Sequence, residues 1–334
     1  MSLVRADAIA IPLADESVDL IVTSPPYFAL RSYTDGGEHY SGQIGSEPTP
    51  QDFLEALWAV TAECRRVLKP SGSMWVNLGD KYSGSAGGGG ASLSSTLGGG
   101  KRTLRAAGGG VDYASTIPAK SLMGLPWRYA IGCIDQLDLI LRAEVIWSKP
   151  NGLPESVTDR VRRSHEQWFH FTKEPRYFAA VDEVREAHTG DSPIGRDNAR
   201  GIESPRHAKR GNGDGHSYGV NYANPLGKLP GSVWTIPSEP LKVPDWLNVD
   251  HFAAFPQEFP RRIILGWSPP DGIVLDPFGG TGTVAMVARA LGRYPVHIDL
   301  SADYLRLARW RIYESGHASK TTARTDRERQ GVLL

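Results

Sequence analysis

At 334 residues the chain is long for one compact domain and short for two large ones, so a single core carrying insertions is the expected plan. Lys plus Arg and Asp plus Glu are 37 each, so overall charge advertises no polyanionic partner and any nucleic-acid contact must rest on local sites. Two cysteines, Cys64 and Cys133, exclude a disulfide framework and a Cys-rich zinc module; with no apolar run of membrane-span length and no signal-peptide layout in MSLVRADAIAIPL, a reduced, soluble, cytoplasmic chain is expected.

Residues 18–22 (VDLIV) are an apolar run ending in a Pro-Pro turn, the pattern of a buried strand that opens into a loop. Over residues 53–68, Phe53, Leu54, Leu57, Val60, Cys64 and Leu68 recur at helical spacing, with Pro70 and Gly72 as the stop. A strand is expected at 73–78 (SMWVNL). Residues 83–110 are dominated by Gly, Ser and Ala, with Lys101, Arg102 and Arg105 embedded, and read as a loop. A helix follows at 122–137, then strands at 139–148 (LILRAEVIWS) and 165–172 (HEQWFHFT), rich in the aromatic and β-branched residues that suit pleated surfaces. Between 182 and 228, Gly, Arg, His, Asn and Asp prevail without period, as in a recognition segment or a disordered insertion. A strand at 272–275, a Gly-rich turn, a helix at 284–291, a strand at 295–299 and a last helix at 302–313 compose a βαβ unit and its sequel, and the tail after Gly316 is polar.

Two runs carry chemistry. IVLDPFGGTGT (273–283) delivers Asp276 and then Gly279, Gly280 and Gly282 directly before a helix, the layout of a nucleotide-type site at the carboxyl edge of a parallel sheet. Glycines there let backbone approach a ligand and permit positive φ. Asp276 can hold a cationic group, and Asp299 ends the next strand at the distance where an acidic residue accepts from ribose hydroxyls. GGTG alone is a tight loop; the two strand-end carboxylates make it a ligand site. TSPPY (23–27) puts two prolines after a strand, giving a stiff loop with few free N–H donors. Taken alone, it fits a turn with Tyr27 as a packing residue as well as it fits a pocket.

Together, TSPPY and DPFGGTGT resemble motifs IV and I of the amino DNA methyltransferases in their β-class order. Asp7 resembles the acidic residue of motif III, which meets the cofactor adenine. LKPSGSMWVNLGDKY (68–82), IWSKPNGLPESVTDR (146–160), RSHEQWFHFTK after it and HFAAFPQEFPRRII (251–264) are also similar to that family, the last lying there against the methionine part of the cofactor. The likeness covers the chain except about 83–115 and 183–230. It implies an α/β fold, a doubly wound, mostly parallel sheet of the S-adenosylmethionine-dependent, Rossmann-like type with an inserted recognition segment. The organisation expected is 1–182 with the target-base pocket, 183–232 for recognition, 233–316 for the cofactor and 317–334 as a polar tail.

By the same resemblance, S-adenosylmethionine binds at Asp7, Phe255, Asp276, Pro277, Phe278, Gly279, Gly280, Gly282, Thr283 and Asp299, and the target base at Ser24, Pro25, Pro26 and Tyr27. An exocyclic amine has its lone pair delocalised into the ring, so acceptors must hold both N–H bonds while the nitrogen pyramidalises. Ser24 Oγ and the Pro25 carbonyl can do this, with Tyr27 stacking on a base flipped out of the duplex. The family habit of Ser in SPPY, with KPN and PES downstream, points to N4 of cytosine; Asp in place of Ser24 accompanies N6-adenine enzymes, the alternative. C5 methylation needs a cysteine nucleophile in a Pro-Cys turn, which neither cysteine occupies. A catalytically inactive DNA-binding relative is the reading from a different class. The expected partner is double-stranded DNA, held by Arg160, Arg162 and Arg163 and, in the insertion, by Arg206, Lys209 and Arg210. A cognate restriction endonuclease is a candidate partner, no membrane is involved, and monomer and homodimer both stay open.

Overall fold

A run such as VDLIVT, apolar at consecutive positions, must be covered on both faces, and the fold is built around that demand. The computed structural model describes residues 2–29, 34–35, 38–39, 43–83, 117–152, 154–188, 224–247, 249 and 255–314. The elements in chain order are β1 (Ser2–Arg5), β2 (Val18–Thr23), the two-residue strands β3 (Thr34–Asp35) and β4 (Glu38–His39), α1 (Pro50–Val67), β5 (Leu68–Leu78), α2 (Leu125–Leu137), β6 (Ile140–Ser148), β7 (His165–Thr172), β8 (Val233–Thr235), α3 (Glu258–Trp267), β9 (Ile273–Asp276), α4 (Thr283–Ala290), β10 (Tyr294–Asp299) and α5 (Ala302–Tyr313).

Eight strands form one sheet in the order β1-β10-β9-β2-β5-β7-β6-β8, and β3 pairs with β4 separately. All neighbours in the large sheet are parallel except β7, which runs against both β5 and β6. Strands from opposite ends of the chain interleave: Ser2 faces Val296 on the β1–β10 pair, and Leu20 faces Val274 on the β2–β9 pair. The expected doubly wound, mostly parallel sheet is therefore what forms, with the N-terminal and C-terminal segments joined at its middle.

Alternation along β5 explains the layers. Met74, Val76 and Leu78 enter one core with the buried faces of α1 and α2, while Trp75 enters the other with Phe259, Ile263 and Trp267 of α3, Val284–Ala288 of α4 and Ala308 and Ile312 of α5. The second core is aromatic, with Trp168 stacked on Phe259 at 5.2 Å and Trp75 on His170 at 4.4 Å. No helix among the described residues is long and apolar enough to cross a membrane.

Helix α1 starts where Thr49 accepts from Asp52 N at 3.1 Å with Pro50 in the first turn, three positions before the first apolar residue that marked it in the sequence. Leu68 begins β5 rather than closing the helix. The chain stays extended through Pro70 and Gly72, which the sheet accommodates by a register shift between the Val18–Leu68 and Leu20–Ser73 pairs. Helix α2 begins at Leu125 rather than 122, because Asp80 takes the Gly124 and Leu125 N–H groups at 3.0 and 3.1 Å. Strands β1 and β8 and helix α3 had no sequence expectation. Cys64 and Cys133 are buried, and burial pushes the Cys133 thiol up to about 12, so both are packing residues. Glu186 and Lys228, on either side of residues 189–223, exchange backbone hydrogen bonds of 2.9 Å.

Candidate active site

Strands β9 and β2 are neighbours whose next strands lie on opposite sides, β10 beside β9 and β5 beside β2, and sheets of this kind take ligands past the carboxyl ends at such a switch point. Asp276 ends β9 and Thr23 ends β2, and Thr23 Oγ1 donates to Asp276 Oδ1 at 2.8 Å. The two runs that carry chemistry, about 250 residues apart in sequence, are thus joined by a buried hydrogen bond.

On the β2 side Ser24 and Tyr27 are half-buried and Pro25 is buried. Ser24 Oγ donates to Asn77 Oδ1 at 3.2 Å. Asn77 sits on β5, 1% exposed, and its Nδ2 donates to the Gln167 carbonyl at 3.0 Å, which fixes the amide with its oxygen toward Ser24. An amide oxygen has no proton to give. The serine hydrogen is therefore spent on Asn77, and the Ser24 lone pairs are left to accept from an N–H group. The Tyr27 hydroxyl lies 2.8 Å from both Asn77 Oδ1 and Glu166 Oε2, so its proton has two acceptors. Glu166 is paired in turn with Lys149, whose Nζ lies 3.9 Å from the centre of the Trp147 ring. Behind Tyr27, Gly79 leaves room for the ring: a Cβ there would come within 2.7 Å of Tyr27 Cε2.

On the β9 side, burial pushes the Asp276 carboxyl up to about 7; the hydrogen bonds from Thr23 and the Phe278 N–H pull it down and the Asp299 charge pushes it up again. Asp299 ends β10 and holds the turn, accepting from Gly280 N and Ser301 N at 2.8 Å each. The three glycines have three different reasons. A Cβ at Gly279 would sit 2.2 Å from the ring of buried His297, and one at Gly282, with φ +77°, would meet Ala308 at 2.9 Å. At Gly280, with φ +48°, it would meet only the Phe278 carbonyl at 3.8 Å and otherwise open space. A ligand can approach the backbone there, with a carboxylate on each side. A donor set of two carboxylates and a glycine turn suits a cationic nucleoside derivative, so the residues present fit S-adenosylmethionine.

Asp7 follows the residue whose N–H bonds the Asp299 carbonyl at 3.3 Å, so it lies at the same sheet edge, exposed. Phe255 is half-buried, edge-on to Trp168 at 5.5 Å. Pro277 is buried and Phe278 half-buried in the turn, and Thr283 opens α4. The expected arginine cluster is engaged within the chain: Arg160 with Glu155 at 2.8 Å and over the Tyr82 ring at 3.8 Å, Arg162 with the Gly152 carbonyl at 2.9 Å, Arg163 with Asp80 at 3.8 Å. Arg206, Lys209 and Arg210, like Lys101, Arg102 and Arg105, lie outside the described residues.

Asn77, Lys149 and Glu166 were not among the expected site residues. One signal was available for Asn77, a polar residue inside the otherwise apolar strand MWVNL. Lys149 and Glu166 lie inside the KPN and RSHEQ runs matched to the family, but their roles depend on the packing of the strands that carry them.

Residues 18–309 match a family of N6/N4 methyltransferases described as DNA methylase. Among characterised proteins, the chain is 35% identical over 313 residues to the type II methyltransferase M.XycI of Xanthomonas campestris pv. cyanopsidis, covering 93% of this chain and 87% of that protein. It is 33% identical over 309 residues to M.SmaI of Serratia marcescens, covering 90% and 86%. Among solved structures, the PvuII DNA methyltransferase (cytosine-N4-specific) superposes with a TM-score of 0.61 at 18% identity, covering 98% of this chain and 91% of that one, a likeness of fold.

Proposed function

We propose, from the premise that the chain belongs to the DNA methylase family, that it methylates the exocyclic N4 of cytosine at one sequence in double-stranded DNA, after the base has flipped into the TSPPY pocket. Membership brings S-adenosylmethionine as methyl donor, and bound beside Asp276 and Asp299 it would supply an electrophilic methyl group on a cationic sulfur. The observation that carries the reading is the Thr23–Asp276 hydrogen bond, which makes the base pocket and the cofactor turn adjoining parts of one crevice.

In this reading Ser24 Oγ and the Pro25 carbonyl accept the two amine hydrogens, turning the nitrogen lone pair out of the ring plane. Asn77 orients Ser24 for that task. The aromatic face of Tyr27 replaces the stacking lost on flipping. Ser24 in SPPY, with KPN and PES downstream, supports cytosine through the habit of the family. The buried thiols of Cys64 and Cys133 offer no nucleophile for C5 chemistry. Sequence recognition is assigned to 183–232, whose ends are pinned together at Glu186 and Lys228, and phosphate contact to the loop that carries Arg160, Arg162 and Arg163.

Glu166 is a positioning residue here, acting through the Tyr27 hydroxyl. Glu166→Ala is expected to lower single-turnover methylation about tenfold, the loss of one hydrogen bond to a charged acceptor, with cofactor affinity unchanged. Glu166→Gln, which still offers Tyr27 an acceptor oxygen, should recover most of the rate. The function itself is tested by incubating the protein with tritiated S-adenosylmethionine and duplex DNA and digesting to nucleosides. Label in N4-methyldeoxycytidine is expected. Label in N6-methyldeoxyadenosine would overturn the choice of amine, and absence of transfer with the cofactor bound would overturn the reading.

A further inference from the structure

Arg311 lies in the last turn of α5, yet its guanidinium ends beneath the glycine turn. Nη1 donates to Thr283 Oγ1 at 2.6 Å, to Thr281 Oγ1 at 2.9 Å and to the Thr281 carbonyl at 3.3 Å, and the residue is 3% exposed. Burying a guanidinium is costly. Fastening α5 to the turn does not require it, because Gly282 already packs directly on Ala308. The charge is also not isolated: burial pulls the Arg311 pKa down to about 10, and the negative charge of Glu239 works against that fall.

We propose that Arg311 is a positioning residue for the cofactor, holding Thr281 and Thr283 of the glycine turn from below. This rests on the reading of residues 276–283 as the S-adenosylmethionine site. Arg311 touches no substrate; it fixes both threonine side chains and the Thr281 carbonyl, and with them the backbone of the turn. Removing it frees the turn, and the cost falls on cofactor binding rather than on the methyl-transfer step.

The test is calorimetric titration of S-adenosylmethionine into the full-length protein and its Arg311→Met, Arg311→Lys and Thr283→Val variants, with steady-state kinetics on duplex DNA. Arg311→Met is expected to weaken the cofactor about tenfold to a hundredfold, the range for losing hydrogen bonds from a charged donor, with the loss carried by KM for the cofactor rather than by kcat. Arg311→Lys, which keeps the charge and can reach the threonines, should recover part of the affinity. Thr283→Val removes an acceptor without deleting the charge, so it serves if Arg311→Met fails to fold. It should weaken binding and be non-additive with Arg311→Lys. Wild-type affinity in Arg311→Met, or in Thr283→Val should Arg311→Met not fold, would overturn the proposal, as would a fall in kcat with KM unchanged. A wild-type protein that bound no S-adenosylmethionine would instead overturn the reading of the turn.

Discussion

Ser24→Ala is expected to abolish methyl transfer, lowering the single-turnover rate by about 10²- to 10³-fold or more, while cofactor affinity stays at the wild-type value. The size follows from what the hydroxyl does. Its hydrogen is committed to Asn77 at 3.2 Å, so the oxygen presents lone pairs to an amine that cannot attack until an acceptor draws its N–H bond out of conjugation. Alanine leaves one of two N–H bonds unheld. The loss belongs to the transition state, where the nitrogen is pyramidal, rather than to binding of the planar base. Asn77→Leu should reproduce a large part of the effect with Ser24 intact, because the freed hydroxyl can then turn its hydrogen into the pocket. Quenched-flow methylation with cofactor titration separates the outcomes: a full rate in Ser24→Ala would remove the amine-holding role, and a lost cofactor affinity would mean that the two sites are not separable.

Asp276→Asn should weaken S-adenosylmethionine about a hundredfold above neutral pH and, more tellingly, remove the pH dependence of binding. Burial raises the Asp276 carboxyl to about 7 in the ligand-free protein. The cationic cofactor favours the carboxylate, so binding below that pH must displace a proton. The wild-type affinity should therefore rise about tenfold per pH unit as pH climbs toward 7 and level off above it. The sign for folding is the opposite. With the folded pKa above the ordinary 3.8, the native state holds an extra proton between about pH 4 and pH 7, and the ligand-free protein loses stability as pH rises through that window. The asparagine variant lacks this slope. Titration in buffers of different ionisation enthalpy counts the proton; a wild-type affinity that is flat from pH 5.5 to 8.5 would contradict the assignment.

Much of the site was legible because its parts are local. DPFGGTGT is a strand end, an acid and a turn in one stretch, and TSPPY is a strand end and a stiff loop in another, so each could be read without the fold. Strand β7 and helix α5 fell on their expected limits for the same reason. Asn77, Glu166 and Lys149 act only once β5, β7 and β6 are in register, with Asn77 opposite Trp168 and Ser148 opposite His165. Arg311 looks like one more basic residue in RLARWRIY until α5 lies against the turn. Helix α3 escaped notice because Pro260 and two arginines interrupt its apolar stripe; Glu258 clamps both arginines at 2.7–2.8 Å and lets the helix pack. The meaning of the glycines also shifted: only Gly280 faces open space, while Gly279 and Gly282 make room for His297 and Ala308.

The most direct test of the account is the modified-base content of a methylation-free bacterium expressing the protein, read by nucleoside mass spectrometry and by sequencing that reports the context of each mark. The expected result is N4-methylcytosine confined to one recognition sequence and absent with Ser24→Ala. N6-methyladenine in its place, or unmodified DNA in cells containing soluble protein that binds S-adenosylmethionine, would contradict it.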